Sequence, residues 1–226
     1  MKKHNSIQMK QLFTVILTFF SLTVFGTAQA PDHIIYNGKE YLLYSNPMEE
    51  YFKKYPDRRP KDGISSTALR RGYVATYEIK NNQLFLKDIE IQVCEGKKCK
   101  TTKWKSVFNE IFSDQELIKI DWVIGILILP YGKKVNNILD MGYASAYENY
   151  IVLTFENGIL KKEQQFDNKE FEEYKEKRFQ EFKKTEEYKK VRKDFQNFLD
   201  TTATDEYIES ILRIYDIEHN SQILDE

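Results

Sequence analysis

The stretch Trp122-Val123-Ile124-Gly125-Ile126-Leu127-Ile128-Leu129 decides the fold. It is continuously apolar and rich in β-branched residues, and Pro130 and Gly132 close it. It is shorter than the roughly 20 residues a membrane span needs. β-Branching stiffens the side chains and disfavours a helix. The run therefore reads as a strand buried on both faces. A second strand is expected at about 147–156, ending in Asn157-Gly158. Asn-Gly accepts positive φ at both central positions of a two-residue turn, so 159–164 should return antiparallel.

Working outward, two more hairpins precede this centre. His33–Tyr36 and Lys39–Tyr44 flank Asn37-Gly38. Gly72–Lys80 and Gln83–Val93 flank Asn81-Asn82, with Tyr73, Ala75, Tyr77 and Ile79 on one face. The alternation falters near Lys87-Asp88, where a β-bulge is expected. Asn46-Pro47 opens a short helix with acids in its first turn and lysines in its last, matching the helix dipole. A polar loop follows at 57–67, and a short helix is expected at 106–112 before the central strand.

After Gln164 the character changes. Residues 168–199 are densely charged, with Phe171, Tyr174, Phe179, Phe182, Tyr188, Phe195 and Phe198 forming an aromatic stripe at helical spacing. Thr185 marks a break into two helices, and a last helix is expected at about 204–217. Strands first and helices last indicate an α+β fold: an antiparallel sheet built from hairpins, then a C-terminal helical segment. The expected division is residues 1–28, a mainly β domain over 29–165, and a helical segment over 166–226.

The first 28 residues have the layout of a secretory signal peptide. Lys2, Lys3 and Lys10 precede an apolar core, Leu12–Phe25, and small residues follow. Cleavage after Ala28 leaves Gln29 first and avoids a cut placing Pro31 beside the break. An exported protein, periplasmic or secreted, with no stable membrane anchor is expected. The full chain is balanced at −1, and losing three lysines leaves 31 bases against 35 acids, or −4. Such a mixed, mildly acidic chain lacks the basic excess of a nucleic-acid binder.

Cys94 and Cys99, the only cysteines, flank an expected hairpin turn. In an oxidising compartment they read as a disulfide clipping that hairpin. No metal site is expected: two thiolates and two distant histidines, His33 and His219, do not complete one. No cofactor is expected either. No serine-nucleophile elbow, phosphate-binding glycine loop or His-Glu-x-x-His helix is present. Histidine is scarce, which disfavours a histidine-activated nucleophile.

Met141-Gly142-Tyr143-Ala144-Ser145-Ala146-Tyr147 is the most unusual loop. Tyrosines between small residues offer rigid, amphipathic contact area. Tyr143 and Tyr147, with Arg70, Arg71 and Tyr73 as polar neighbours, form a candidate groove for a protein, peptide or small-molecule partner. The competing reading is a tight β-connection whose tyrosines pack on the sheet edge. The aromatic stripe of the helical segment is a second candidate contact surface, against a competing reading as core. The run Arg71–Ile79 and the pattern Trp122…Gly125…Pro130-Tyr131-Gly132 resemble stretches of exported bacterial proteins of unassigned function. That resemblance implies no activity and carries over no functional residue. The expected function is a non-enzymatic exported binding or interaction module. The alternative is an exported, glycosidase-like hydrolase using paired carboxylates.

Overall fold

The computed structural model describes residues 29–96, 99–113, 115–135, 145–198 and 204–218. The expected signal peptide at 1–28 and the loop residues Met141–Ala144 lie outside them. The fold is α+β: a large, mostly antiparallel sheet followed by three helices. In chain order the strands are β1 (Asp32–Tyr36), β2 (Lys39–Leu43), β3 (Val74–Lys80), β4 (Gln83–Glu95), β5 (Thr101–Ser106), β6 (Ile118–Lys119), β7 (Gly125–Val135), β8 (Ala146–Glu156) and β9 (Ile159–Asp167). The helices are α1 (Met48–Lys54), α2 (Phe108–Ile111), α3 (Asn168–Phe182), α4 (Glu186–Phe198) and α5 (Asp205–Glu218).

All three expected hairpins form. Asn37-Gly38 (φ 50° and 73°), Asn81-Asn82 (50° and 61°) and Asn157-Gly158 (50° and 73°) turn them. The spatial order is β2-β1-β3-β4-β9-β8-β7, with β5 and β6 also paired to β4. β1 and β3 run parallel, because α1 and its following loop carry the chain over before β3 begins. The expected bulge is present: Thr76 faces Asp88 and Tyr77 faces Leu86, leaving Lys87 as the extra residue.

The two ends of this strand order meet. The Tyr44 N–H, just past β2, donates to the Ile128 carbonyl of β7 at 2.9 Å. Tyr41 and Tyr131 stack edge to face across the same seam. On the other side, the turns at 81–82 and 157–158 dock together. The Gln83 amide donates to the carbonyls of Leu84, Ile120 and Gly158 at 3.1, 2.7 and 3.0 Å. The ring of strands encloses an apolar interior of Ile34, Tyr77, Leu84, Leu86, Leu127, Leu129, Leu153 and Phe155, which α1 caps with Met48, Tyr51 and Phe52.

β7 is buried on both faces, as its apolar run requires. Leu127 and Leu129 face the enclosed core, while Ile126 and Ile128 face Tyr150, Val152 and Phe171 of α3. The strand does not stop at Pro130, as expected from the sequence, but continues to Val135 with an irregularity between Tyr131 and Lys134. The reason is one of parity. Ile128 turns its carbonyl towards Tyr44, so Pro130, two residues on, points its nitrogen away from β8 and no ladder bond is lost.

Asp167 starts α3 through a capping box: it accepts from the Glu170 N–H at 2.8 Å, and Glu170 accepts from the Asp167 N–H at 2.9 Å. Thr185 separates α3 from α4 as expected, accepting from the Tyr188 N–H at 3.1 Å. Phe179, Phe182, Tyr188, Ile208 and Leu212 form a second core among α3, α4 and α5. Arg178 and Asp216 are buried beside it, Nε to Oδ2 3.6 Å. Most of the aromatic stripe is therefore core; Phe198 stays 83% exposed. No helix among the described residues is long and apolar enough to cross a membrane.

Candidate functional site

The sequence-selected residues fall into separate surroundings. Arg71 lies against fully buried Asp32, Nη2 to Oδ1 2.7 Å. Asp32 also accepts from the Ala75 N–H at 2.9 Å and the Tyr77 hydroxyl at 3.3 Å. Burial raises the Asp32 carboxyl above its ordinary range, and the Arg71 charge opposes that rise. Tyr73 is buried beside this pair, its ring 5.5 Å from the Arg71 guanidinium, and its hydroxyl donates to Glu49 at 2.8 Å. Burial pushes that hydroxyl well up, so it stays a neutral donor. Arg70 is exposed on the preceding turn. Tyr147 belongs to the other face of the sheet: its ring meets Tyr44 edge to face, and its carbonyl accepts from Asn168 at 3.1 Å. Tyr143 lies outside the described residues. Arg71 and Tyr73 thus share one buried network, whereas Tyr147 packs with the α3 cluster.

A shallow cleft of about 380 Å³ opens near that network, walled by Arg58, Arg59, Lys61, Asp62, Ile91 and Glu110. Three of its charged groups are engaged with neighbours. Arg58 donates to the Tyr51 hydroxyl at 2.7 Å, Arg59 to Glu49 at 2.6 Å, and Glu110 accepts from Lys105 at 2.7 Å. Among the described residues, no group of acids, histidines and cysteines is placed to hold a metal ion.

Paired carboxylates do occur at Asp88 and Glu90, two apart on β4 and so on one face. Burial and the Asp88 charge raise the Glu90 carboxyl. Asp88 is committed to the Ile89 N–H at 2.8 Å and the Ser106 hydroxyl at 2.6 Å. Neither acid lines the cleft.

The least absorbed feature is the arm made by the end of β4 and β5. All six β5 residues are exposed. Cys94 and Cys99 clip its tip as a disulfide, with Cα atoms 4.7 Å apart. Trp104 is 45% exposed, with Lys103 and Lys105 as sequence neighbours. β5 pairs with β4, and no second strand pairs with it among the described residues.

Two backbone bonds fix which groups face outward. Val107 N–H donates to the Ile89 carbonyl at 2.8 Å, which makes 89 and 107 a bonded pair across the two strands. Ile64 N–H donates to the Gln92 carbonyl at 2.9 Å, from the side away from β5. Gln92 opposes Trp104 and Cys94 opposes Thr102, and both pairs are the non-bonded kind. The free edge therefore presents the backbone N–H and C=O groups of Thr102 and Trp104. Lys103 and Lys105 share one face of the pleat, and Thr102 and Trp104 share the other.

Sequence reasoning missed this surface. Its signal was available: five lysines and one acid between Glu95 and Lys105, around one of only two tryptophans. No family model, curated protein or solved structure matches the chain.

Proposed function

We propose that the mature chain is an exported, non-enzymatic binding module that meets a protein or peptide partner through the β4–β5 arm. The observation carrying this reading is the exposed β5 strand with Trp104 at its centre, held on a disulfide-clipped hairpin. A large aromatic ring left in solvent beside flexible cations costs favourable burial unless a partner covers it. The disulfide adds support for export, since such bonds persist in oxidising compartments.

A photo-cross-linking residue in place of Trp104, expressed in the organism that makes the protein, tests this. A discrete adduct is expected there and not from the same residue in place of exposed Lys190 on α4. No adduct, or equal adducts at both positions, would sink the reading.

A further inference from the structure

We infer that the free edge of β5 is a docking site for an extended acidic peptide segment, which joins the sheet as an added strand. This rests on the proposed binding function and names its partner chemistry.

An edge strand with unpaired N–H and C=O groups is a template for another strand. Here the groups that meet no other strand among the described residues belong to Thr102 and Trp104, on a strand held in register by six antiparallel pairs with β4 and clipped by the Cys94–Cys99 bond. Its shape is set before a partner arrives, which lowers the ordering cost of binding.

Charge then selects the occupant. Side chains of an added strand lie beside those of β5 on the same face of the pleat. On one face they would meet Lys103 and Lys105. On the other they would meet Trp104. A segment that alternates acids with β-branched or aromatic residues satisfies both faces. Lys105 holds Glu110 at 2.7 Å, but both groups are solvent-exposed and such a pair exchanges partners at little cost. A second copy of this chain is disfavoured. Antiparallel self-pairing centred on Lys103 would set Lys103 opposite Lys103, a repulsive arrangement.

The test uses the full mature chain with its disulfide intact and a short acetylated peptide alternating Glu and Val. Calorimetric titration should show saturable binding that weakens with salt. The same peptide with alternate backbone amides N-methylated, so that it cannot bridge to β5, should bind at least roughly tenfold more weakly. Thr102→Pro removes one outward N–H and leaves the β4–β5 ladder bonded, and it should weaken binding by a similar factor. Lys103→Ala with Lys105→Ala should remove the salt dependence.

Unchanged affinity for the N-methylated peptide or for Thr102→Pro would overturn strand addition. So would failure to bind the peptide at millimolar concentration. If the cross-link at position 104 still forms in that case, the binding function stands and only the strand-addition inference falls. A dimer in sedimentation that Thr102→Pro converts to monomer would assign the edge to a second copy and equally overturn the inference.

Discussion

Replacing Arg71 by Met tests whether the Asp32–Arg71 pair holds the first half of the sheet together. Met keeps much of the apolar stem and removes the charge. Asp32 is fully buried and would retain only the Ala75 N–H and the Tyr77 hydroxyl. Removing one partner of a buried pair costs about 3–5 kcal/mol, because a charge is left uncompensated. The two surviving hydrogen bonds put the expected loss at about 3 kcal/mol at neutral pH. The pH dependence follows from the same geometry. Burial already raises the Asp32 carboxyl above its ordinary 3.8, and Arg71 supplies the largest opposing pull. Without Arg71 the native carboxyl rises further. A group whose folded value is raised contributes its stability below the unfolded value and loses it as pH climbs through the folded one. The deficit of the variant should therefore shrink as pH falls towards about 4 and be largest near neutrality. Urea denaturation of both proteins at the two pH values, with the disulfide intact, measures it. A loss under about 1 kcal/mol at neutral pH, the scale of an exposed pair, would refute the reasoning. So would a deficit that widens on acidification.

Gly158→Ala should cost roughly 2–4 kcal/mol in chemical denaturation, since φ is +73° and a Cβ there would run into the Ile120 carbonyl. Gly38→Ala, at the same φ with open space around it, should cost only about 1 kcal/mol, and equal losses would contradict the close approach of Gly158 to Ile120. Replacing Cys94 and Cys99 by Ser should lower stability by roughly 2 kcal/mol, and the unreduced parent should yield no labelled thiol when unfolded. Asp167→Ala removes the capping box of α3 and should cost about 1 kcal/mol, seen as increased amide exchange in the first turn of that helix before the rest.

The hairpins were legible because Asn-Gly and Asn-Asn state their own turn geometry, and the bulge at Lys87 because a period of two cannot absorb an extra residue silently. The break at Thr185 could be read for a similar local reason. What lay beyond the sequence was non-local. Nothing near Asp32 in the chain announces that Arg71, 39 residues on, will be its partner. Arg71 and Tyr73 therefore looked available for a ligand when they are engaged inside the fold. Pro130 looked like a stop because strand parity depends on where Ile128 points, which only the meeting with Tyr44 decides. The exposure of β5 was hidden for the converse reason. Its residues read as an ordinary returning strand, and only the completed strand order shows that, among the described residues, no neighbour arrives on its other side.

α3 belongs to two cores at once. Its first turns seat Phe171 against Tyr150, ring centroids 3.9 Å apart, and its last turns deliver Phe179 and Phe182 to α4 and α5. Fifteen residues without a break make a strut roughly 22 Å long. A load applied to the helical end is then passed along the strut into β8 and β9, with no linker in between to absorb it. Proteolysis within α3 would strip aromatic packing from both ends of the molecule together. The helical segment therefore behaves as a handle fixed to the sheet, and its surface chemistry can be altered on α4 or α5 without changing the direction in which the sheet is held.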